Sequence, residues 1–232
     1  MKELTWGSKV DRTCTVIPGS CSVLLSLIVV ISVTLFKKLR TQTFYLVVFQ
    51  SVAESIFNMS IIAFYNPPVH GNWQCQFQGW LINFGIMSSI FFSGAIAGHM
   101  YLSITKRNYR FTQTMLLQLT AIIVVAAGLL AAIPYSTHQY DDLNANCWIA
   151  EGEYGTSITN GIIMRFATHY GIIWGVCIFC AWSYKTIFKF VQDLKEQLRT
   201  SVLTSNRGPS ELERTVYRLQ YYPGTDISFC AL

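Results

Sequence analysis

The sequence predicts an all-α protein, a multi-pass bundle of transmembrane helices, from its composition and from the length of its apolar runs. The chain of 232 residues is 52% hydrophobic and only 12% charged. Its mean hydropathy of +0.37 is too high for an ordinary soluble domain of this length. Five runs reach the length of about 20 mainly apolar residues that crosses the hydrocarbon core. Because these runs are apolar nearly all round, whereas soluble helices keep a polar face, lipid is the expected solvent.

The predicted spans divide the chain into three parts. Residues 1–15 form a short extracellular tail, residues 16–188 form the five-helix bundle, and residues 189–232 form a cytoplasmic helix extension and tail. The first apolar run is long enough to span, and no small-residue cleavage pattern follows it, so we expect it to act as its own insertion signal. The predicted spans are residues 16–36, 44–65, 77–104, 115–135 and 162–188.

Lysine and arginine fall in alternate loops, which predicts the orientation, since short cytoplasmic loops are enriched in both. The loops 66–76 and 136–161 contain neither residue. The amino-terminal tail is also basic, so the later loops decide, and we predict a plasma-membrane protein with an extracellular amino terminus. The net charge of +5 then describes a cytoplasmic rim facing membrane lipid, and no nucleic-acid partner is expected. The basic residues of the predicted inner loops are Lys37, Lys38, Arg40, Lys106, Arg107 and Arg110.

Two cysteines lie on the predicted outer side, where the compartment is oxidising. Cys147 is in the second outer loop, and Cys75 is at the outer start of the third span. A bond between them would tie the long loop down over the outer mouth of the bundle. Two alternatives remain open: both cysteines are unpaired, or Cys14 and Cys21 near the outer end of the first span compete for them.

These features together resemble a G-protein-coupled receptor of the cyclic-AMP receptor-like and secretin-like branch. The stretch "CQFQGWLINFG" from Cys75 to Gly85 is similar to the C-x-x-Q-G opening of the third helix in that group, and Cys147-Trp148 matches its Cys-Trp pair. The stretch "GHMYLSITKR" replaces the Asp-Arg-Tyr type motif of rhodopsin-like receptors. The resemblance runs from the first span to about Tyr222. It implies an extracellular ligand and a heterotrimeric G protein as partners.

The resemblance also implies a sixth and a seventh helix. Arg218, Leu219, Tyr222 and Pro223 look like the lead-in to the sixth helix, and Gly224 follows directly. We therefore expect a receptor that is interrupted at the entrance to its sixth helix and does not signal alone. Association with a full-length receptor, through the exposed faces of the third and fifth helices, is a further expectation.

Ionisable residues inside the membrane are costly and are therefore functional candidates. Glu54 near the middle of the second span and His99 near the inner end of the third are predicted to form an intramembrane polar network. Each also has a simpler interpretation, Glu54 as a neutral packing residue and His99 as an interfacial polar residue. Trp148, Arg165 and His169 are the predicted ligand vestibule, with Arg165 the residue for an anionic ligand, unless it extends to the headgroups.

The predicted G-protein-facing surface combines the end of the third helix with the extension of the fifth. An amphipathic helix lying along the headgroups would show the same pattern. The residues of this surface are Ile104, Lys106, Arg107, Val191, Leu194 and Leu198.

Two other classes of function are weighed against a receptor. A fragment of a proton- or solute-coupled carrier would use Glu54, His99 and His169, but the inverted repeats and paired Gly/Pro interruptions of carriers are not evident. An enzyme is not predicted, because no H-E-x-x-H, G-x-S-x-G or phosphate-binding glycine loop is present. We likewise predict no cofactor and no metal site.

Overall fold

The computed structural model describes residues 6–64, 73–106, 111–137, 139–142, 146–149 and 158–204. Side chains at residues 6–15, 142, 158–160 and 198–204 are outside this description. The elements are α1 (Trp6–Leu35), a 3-10 turn (Lys37–Leu39), α2 (Gln42–Ala63), α3 (Trp73–Thr105), α4 (Gln113–Ser136), β1 (Tyr140–Asp142), β2 (Cys147–Ile149), α5 (Ile158–Arg165), a π-helical segment (Phe166–Tyr170) and α6 (Gly171–Thr204).

Five helices in the described ranges are long and apolar enough to cross a membrane, which confirms the predicted fold class of a multi-pass helical membrane protein. The fifth of these spans is built from α5, the π-helical segment and α6. Several helices are longer than the apolar runs that predicted them, because a helix continues wherever its backbone is hydrogen-bonded, whether or not lipid surrounds it. The spans are Val16–Leu35, Gln42–Ala63, Trp73–Thr105, Gln113–Ser136 and Gly161–Gln197.

Two of the helices begin at a threonine cap. The side chain of Thr41 accepts a hydrogen bond from the backbone N–H of Phe44 at the start of α2, and Thr112 accepts one from Met115 at the start of α4. A hydroxyl oxygen at this position satisfies a backbone donor that has no partner within the helix. The short loops that precede α2 and α4 therefore end at defined residues.

The helices fall into two compact units. The first comprises Met1–Ile96 and Phe111–Val176, and the second comprises Ala97–Arg110 and Cys177–Leu232. The core of the first unit packs α2, α3 and α4 together, and the rings of Phe49 and Phe92 stack within it at a centroid distance of 5.9 Å. In the second unit, the ring of Tyr101 lies 5.2 Å from that of Trp182. The buried residues of the first core are Leu46, Ala53, Phe92, Leu116 and Ile123.

Gly85 allows α2 and α3 to approach each other closely. A Cβ atom added at Gly85 would lie 2.8 Å from the Cβ of Phe57 and 2.9 Å from its backbone nitrogen. Lipid is as apolar as a leucine side chain, so helices in a membrane associate through close packing and polar contacts rather than through the hydrophobic effect. The absence of a side chain at Gly85 is what permits this packing.

Candidate functional site

A two-stranded hairpin lies at one end of the first unit, which we call the hairpin end. Strands β1 and β2 are antiparallel, with Tyr140 opposite Ile149 and Asp141 opposite Trp148. Because side chains alternate along a strand, Tyr140 and Ile149 share one face of the hairpin, and both are almost completely buried. Trp148 is on the other face and is half-buried. The hairpin thus buries Tyr140 and Ile149 on one face and leaves Trp148 half-buried on the other.

A disulfide joins the hairpin to the start of α3. Cys75 and Cys147 are bonded, with their Cα atoms 5.3 Å apart and a separation of 72 positions in sequence. Closing a loop of this length restricts the unfolded chain, an effect of about 4 kcal/mol in the chain-entropy model. The predicted pairing is confirmed. Cys21, one of the alternatives, is a free thiol, whereas the side chain of Cys14 lies outside the described residues.

Two glutamines of α3 hold the strands in place. The Nε2 of Gln76 donates a hydrogen bond of 2.6 Å to the backbone oxygen of Tyr140 in β1. The Oε1 of Gln78 accepts from the backbone N–H of Cys147 in β2 at 3.4 Å, and its Nε2 lies 3.5 Å from the Oδ1 of Asn146. Both glutamine side chains are buried. The first turns of α3 are therefore bound to both strands by side-chain amides as well as by the disulfide.

Tyr140 begins a buried chain of hydrogen bonds. Its hydroxyl donates to the backbone oxygen of Ala131 on α4 at 3.0 Å and accepts from the Nδ2 of Asn83 on α3 at 3.2 Å. The Oδ1 of Asn83 lies 3.3 Å from the Nδ1 of His169 in the π-helical segment. Tyr140, Asn83 and His169 are 1%, 0% and 6% exposed. This series of hydrogen bonds connects β1, α4, α3 and the fifth span through the polar atoms of buried residues.

Burial changes the pKa of Tyr140, the first residue in this series of hydrogen bonds. Removal of the Tyr140 hydroxyl from water raises its pKa well above the ordinary value, although the hydrogen bond from Asn83 acts in the opposite direction. The hydroxyl therefore keeps its proton throughout the physiological pH range and remains a hydrogen-bond donor.

The fifth span is interrupted by the π-helical segment Phe166–Tyr170. A Cβ atom added at Gly171, the next residue, would lie 2.9 Å from the backbone oxygen of Phe166, so the wider turn requires a glycine there. Such π-bulges occur frequently at functional sites. Here the segment buries Thr168 and His169 in succession and leaves Tyr170 42% exposed.

Trp148 lies against this segment and forms an aromatic cluster with it. Its ring meets the ring of His169 edge to face at 5.2 Å and that of Tyr170 at 6.3 Å. The guanidinium carbon of Arg165 lies 4.9 Å from the centre of the Trp148 ring, which is a cation–π distance. The Nε of Arg165 also donates to the backbone oxygen of Ile149 at 2.7 Å, and Nη2 donates to the same oxygen. Arg165 is thus directed at the hairpin.

The structure therefore brings together the three residues of the predicted vestibule, Trp148, Arg165 and His169. Within the part of the chain that the structure describes, the Nε1 of Trp148 is buried and has no hydrogen-bond partner. A buried donor without a partner costs roughly 1–3 kcal/mol, so such an atom in a native structure calls for an explanation. An acceptor from a bound molecule is one.

A second polar cluster surrounds Glu54. Its Oε1 accepts from the Oγ of Ser89 at 3.0 Å and from the Nε2 of Gln50 at 3.1 Å. The Nδ2 of Asn58 donates to the backbone oxygen of Glu54 at 2.8 Å and to the Oγ of Ser22 at 3.1 Å. Among the described residues, Gln50 and Ser89 are the ones whose side chains are bonded to the carboxyl group of Glu54. The cluster joins α1, α2 and α3 one turn away from the close contact at Gly85.

The remaining predicted residues belong to the second unit. His99 lies 3.2 Å from the Oγ of Ser103 through its Nδ1. On the predicted G-protein-facing surface, Lys106 is exposed and three apolar residues, Ile104, Val191 and Leu194, are half-buried. Arg107 and the side chain of Leu198 lie outside the described residues.

Sequence reasoning missed Gln76, Asn83, Tyr140 and Tyr170 as members of the site. It searched the spans for ionisable residues and passed over neutral amides. A signal was available, because an amide inside an apolar run also needs a partner when it is buried, and Asn83 interrupts such a run in α3. A search for every polar residue in the spans would have found it.

No family model and no curated protein sequence matches this chain. Among solved structures, the crystal structure of squid rhodopsin is similar, with a TM-score of 0.72, 14% sequence identity and 95% of this chain covered. The chain spans 64% of the length of that rhodopsin chain. At this level of identity the likeness concerns the fold: the helices have a rhodopsin-like arrangement.

Proposed function

We propose that this chain is a ligand-sensing signalling protein of the G-protein-coupled receptor type, with its ligand site at the hairpin end. The observation that carries the proposal is the position of Trp148. A disulfide-anchored hairpin holds this residue against the π-helical segment, in a fold similar to that of squid rhodopsin. Trp148, Arg165 and His169 are the residues assigned to the ligand, and Tyr170 joins them.

We place the protein in the cyclic-AMP receptor-like branch on the strength of its C-x-x-Q-G opening. The contacts of that opening support the assignment, since Gln78 bonds to the strand that carries Cys147. Gly79 also has a specific role, because a Cβ atom there would lie 2.5 Å from the Tyr140 ring. In this chain, therefore, the glutamine and the glycine of the opening both serve to position the hairpin.

We assign the hairpin end to the extracellular side of the plasma membrane. Its disulfide requires an oxidising compartment, and the loops at this end contain no lysine or arginine in the sequence. Four residues of the second unit, Ile104, Lys106, Val191 and Leu194, are assigned to the cytoplasm, where they form the proposed surface for a heterotrimeric G protein. A full-length receptor is a second proposed partner in the membrane.

The proposed mechanism is a shift between two populated arrangements of the helices. A ligand shifts such an equilibrium only by the difference between its affinities for the two states. A molecule bound between Trp148 and the fifth span would make that difference, because the hairpin contacts α3, α4 and the π-helical segment simultaneously. Movement of one element therefore changes the packing of the others.

Ligand binding can be tested by thermal unfolding of the protein in lipid nanodiscs with a library of small extracellular metabolites. The matched variants are Trp148→Ala and Trp174→Ala, the latter at a tryptophan of the fifth span that is 66% exposed. We expect at least one compound to raise the unfolding temperature of the wild type and of Trp174→Ala but not of Trp148→Ala. Compounds that protect all three proteins equally would place the ligand elsewhere.

Signalling is tested separately, by energy transfer between this chain and a G-protein α subunit in cells that also express a full-length receptor. We expect the compound that protects the wild type to change the transfer and to have no effect with Trp148→Ala. An unchanged signal with a compound that binds would contradict the receptor assignment while leaving the binding site in place.

A further inference from the structure

We infer that His169 offers its Nε2 atom as a hydrogen-bond acceptor to the ligand, with Asn83 and Tyr140 acting as positioning residues that fix the proton on Nδ1. The ligand class that follows is a neutral molecule with an N–H or O–H donor for His169 and an acceptor for Trp148, such as an amide. This inference rests on the proposed function for the presence of a ligand, whereas the proton assignment stands on the hydrogen bonds alone.

The argument begins at Ala131, because a backbone carbonyl oxygen can only accept hydrogen bonds. The hydroxyl of Tyr140 lies 3.0 Å from this oxygen and has a single proton. That proton is therefore committed to Ala131, and the Tyr140 oxygen can only accept from its other neighbour. The carbonyl oxygen of Ala131 therefore fixes which atom donates and which accepts in each following hydrogen bond of the series.

The next neighbour is Asn83, which must direct its nitrogen at Tyr140. The Nδ2 of Asn83 lies 3.2 Å from the Tyr140 oxygen and supplies the donor that this oxygen needs. The amide oxygen of Asn83 consequently faces the other way, towards the Nδ1 of His169 at 3.3 Å. An amide turned through half a rotation would place its oxygen against the Tyr140 oxygen, which is available only as an acceptor, and would lose the hydrogen bond between Asn83 and Tyr140.

His169 must then carry a proton on Nδ1, since the oxygen of Asn83 can only accept. A neutral imidazole holds one proton, so the lone pair is on Nε2. A second proton would add a positive charge beside the guanidinium of Arg165, which lies on the same Trp148 ring. Two positive charges on one aromatic ring repel each other, and burial adds the cost of desolvating the charge. The neutral form with an accepting Nε2 is the one the surroundings favour.

The two ring nitrogens of His169 point in different directions. Nδ1 is directed at Asn83, which is completely buried, so Nε2 is on the part of the ring that points away from this partner. The same ring packs against Trp148 and Tyr170. Trp148 contributes a buried N–H with no partner among the described residues. The cluster thus combines an acceptor on one ring with a donor on another, the pattern that an amide complements.

The proton assignment is tested by nitrogen NMR of the full chain in nanodiscs with ¹⁵N-labelled histidine, because the shifts separate a protonated ring nitrogen from one with a lone pair. The variant His169→Asn identifies the His169 signals, because they are lost from its spectrum. Its side-chain amide still supplies a donor in the place of Nδ1. We expect a proton on Nδ1 and a lone pair on Nε2 in the wild type. A proton on Nε2 at neutral pH, alone or as imidazolium, would overturn the inference.

Tyr140→Phe tests the positioning role. In this variant the oxygen that accepts from the Asn83 amide is missing, so the amide can adopt either orientation. A second His169 tautomer should therefore become populated. Tyr135→Phe, at an exposed tyrosine near the end of α4, is the control and should keep the wild-type shifts. A single, unchanged tautomer in Tyr140→Phe would show that Tyr140 does not position the ring.

The ligand class is tested with N-methylbenzamide and N,N-dimethylbenzamide, which differ in a single N–H donor. We expect the first to raise the unfolding temperature of the wild type more than the second, and we expect His169→Asn to abolish this difference. Equal protection by the two amides would overturn the inferred donor. No protection by either amide, with the expected tautomer in place, would contradict the inferred ligand class but not the proton assignment, and the metabolite library separately tests the ligand site of the proposed function.

Discussion

The backbone of Gly79 in α3 lies directly against the phenol ring of Tyr140 in the hairpin. A Cβ atom added at Gly79 would lie 2.5 Å from the Cδ1 of Tyr140 and 2.6 Å from its Cγ. The ring cannot retreat easily, because its hydroxyl is bonded to Ala131 and Asn83. This contact therefore sets the distance between α3 and the hairpin.

Gly79→Ala should consequently destabilise the protein. Overpacking a close contact costs roughly 1–3 kcal/mol, which exceeds the gain of about 0.5–1 kcal/mol from replacing a helical glycine with alanine. Gly128→Ala is the matched control, since nothing lies within 4 Å of a Cβ atom added there. The free energy of unfolding in nanodiscs should fall for Gly79→Ala and stay level or rise for Gly128→Ala. The opposite order would show that the ring moves without cost.

The disulfide should contribute measurably to the hairpin's stability. Replacing both Cys75 and Cys147 with serine removes the cross-link, and the loss of a native disulfide costs about 2–5 kcal/mol in small domains. Cys21→Ser, at an exposed free thiol, is the control and should behave as the wild type. Proteolysis of the segment between α4 and α5, followed by gel electrophoresis, should be faster in the double variant. Equal rates would show that Gln76, Gln78 and Tyr140 hold the hairpin without the disulfide.

The fold could be predicted from the sequence because the membrane imposes a strong and local constraint. A run of about 20 apolar residues is sufficient to identify a span, and the distribution of lysine and arginine placed Cys75 and Cys147 on one side. That placement made their disulfide foreseeable.

The hydrogen-bond chain through Asn83 could not be predicted in the same way. Asn83 is 57 residues from Tyr140 and 86 residues from His169. No local pattern connects positions so far apart, and the π-helical turn that directs His169 inward has no periodic signal of its own. Arg165 is predicted from the sequence as a vestibule residue. Its hydrogen bond to the backbone oxygen of Ile149, however, depends on the path of the second outer loop, which the sequence does not specify.

Glu54 and Ser89 should be energetically coupled across α2 and α3. In a double-mutant cycle with Glu54→Ala and Ser89→Ala, we expect a coupling of about 0.6 kcal/mol, the average for such bonds between membrane helices, and at most about 1.7 kcal/mol. Glu54→Gln keeps an amide oxygen that can accept from Ser89, so it should retain part of the coupling. Ser93→Ala is the control, because the Ser93 hydroxyl bonds to the backbone of its own helix at Ser89. A coupling as large with Ser93 as with Ser89 would contradict the direct bond.

Tyr140→Phe should have an effect that depends on pH. Burial raises the folded-state pKa of Tyr140 above the ordinary tyrosine value of about 10, so the tyrosine contributes stability that is fully present below this value and is lost as the pH rises through the folded-state pKa. At neutral pH the free energy of unfolding of the variant should be lower by about 1–3 kcal/mol, because Ala131 and Asn83 are left without their partner.

The measurement is the free energy of unfolding of both proteins from pH 7 into the alkaline range. The difference between them should be constant below about pH 9 and shrink above pH 10, since only the wild-type unfolded chain gains stability by ionising this side chain. A difference that stays constant across the whole range would mean that the Tyr140 hydroxyl is not buried in the folded protein.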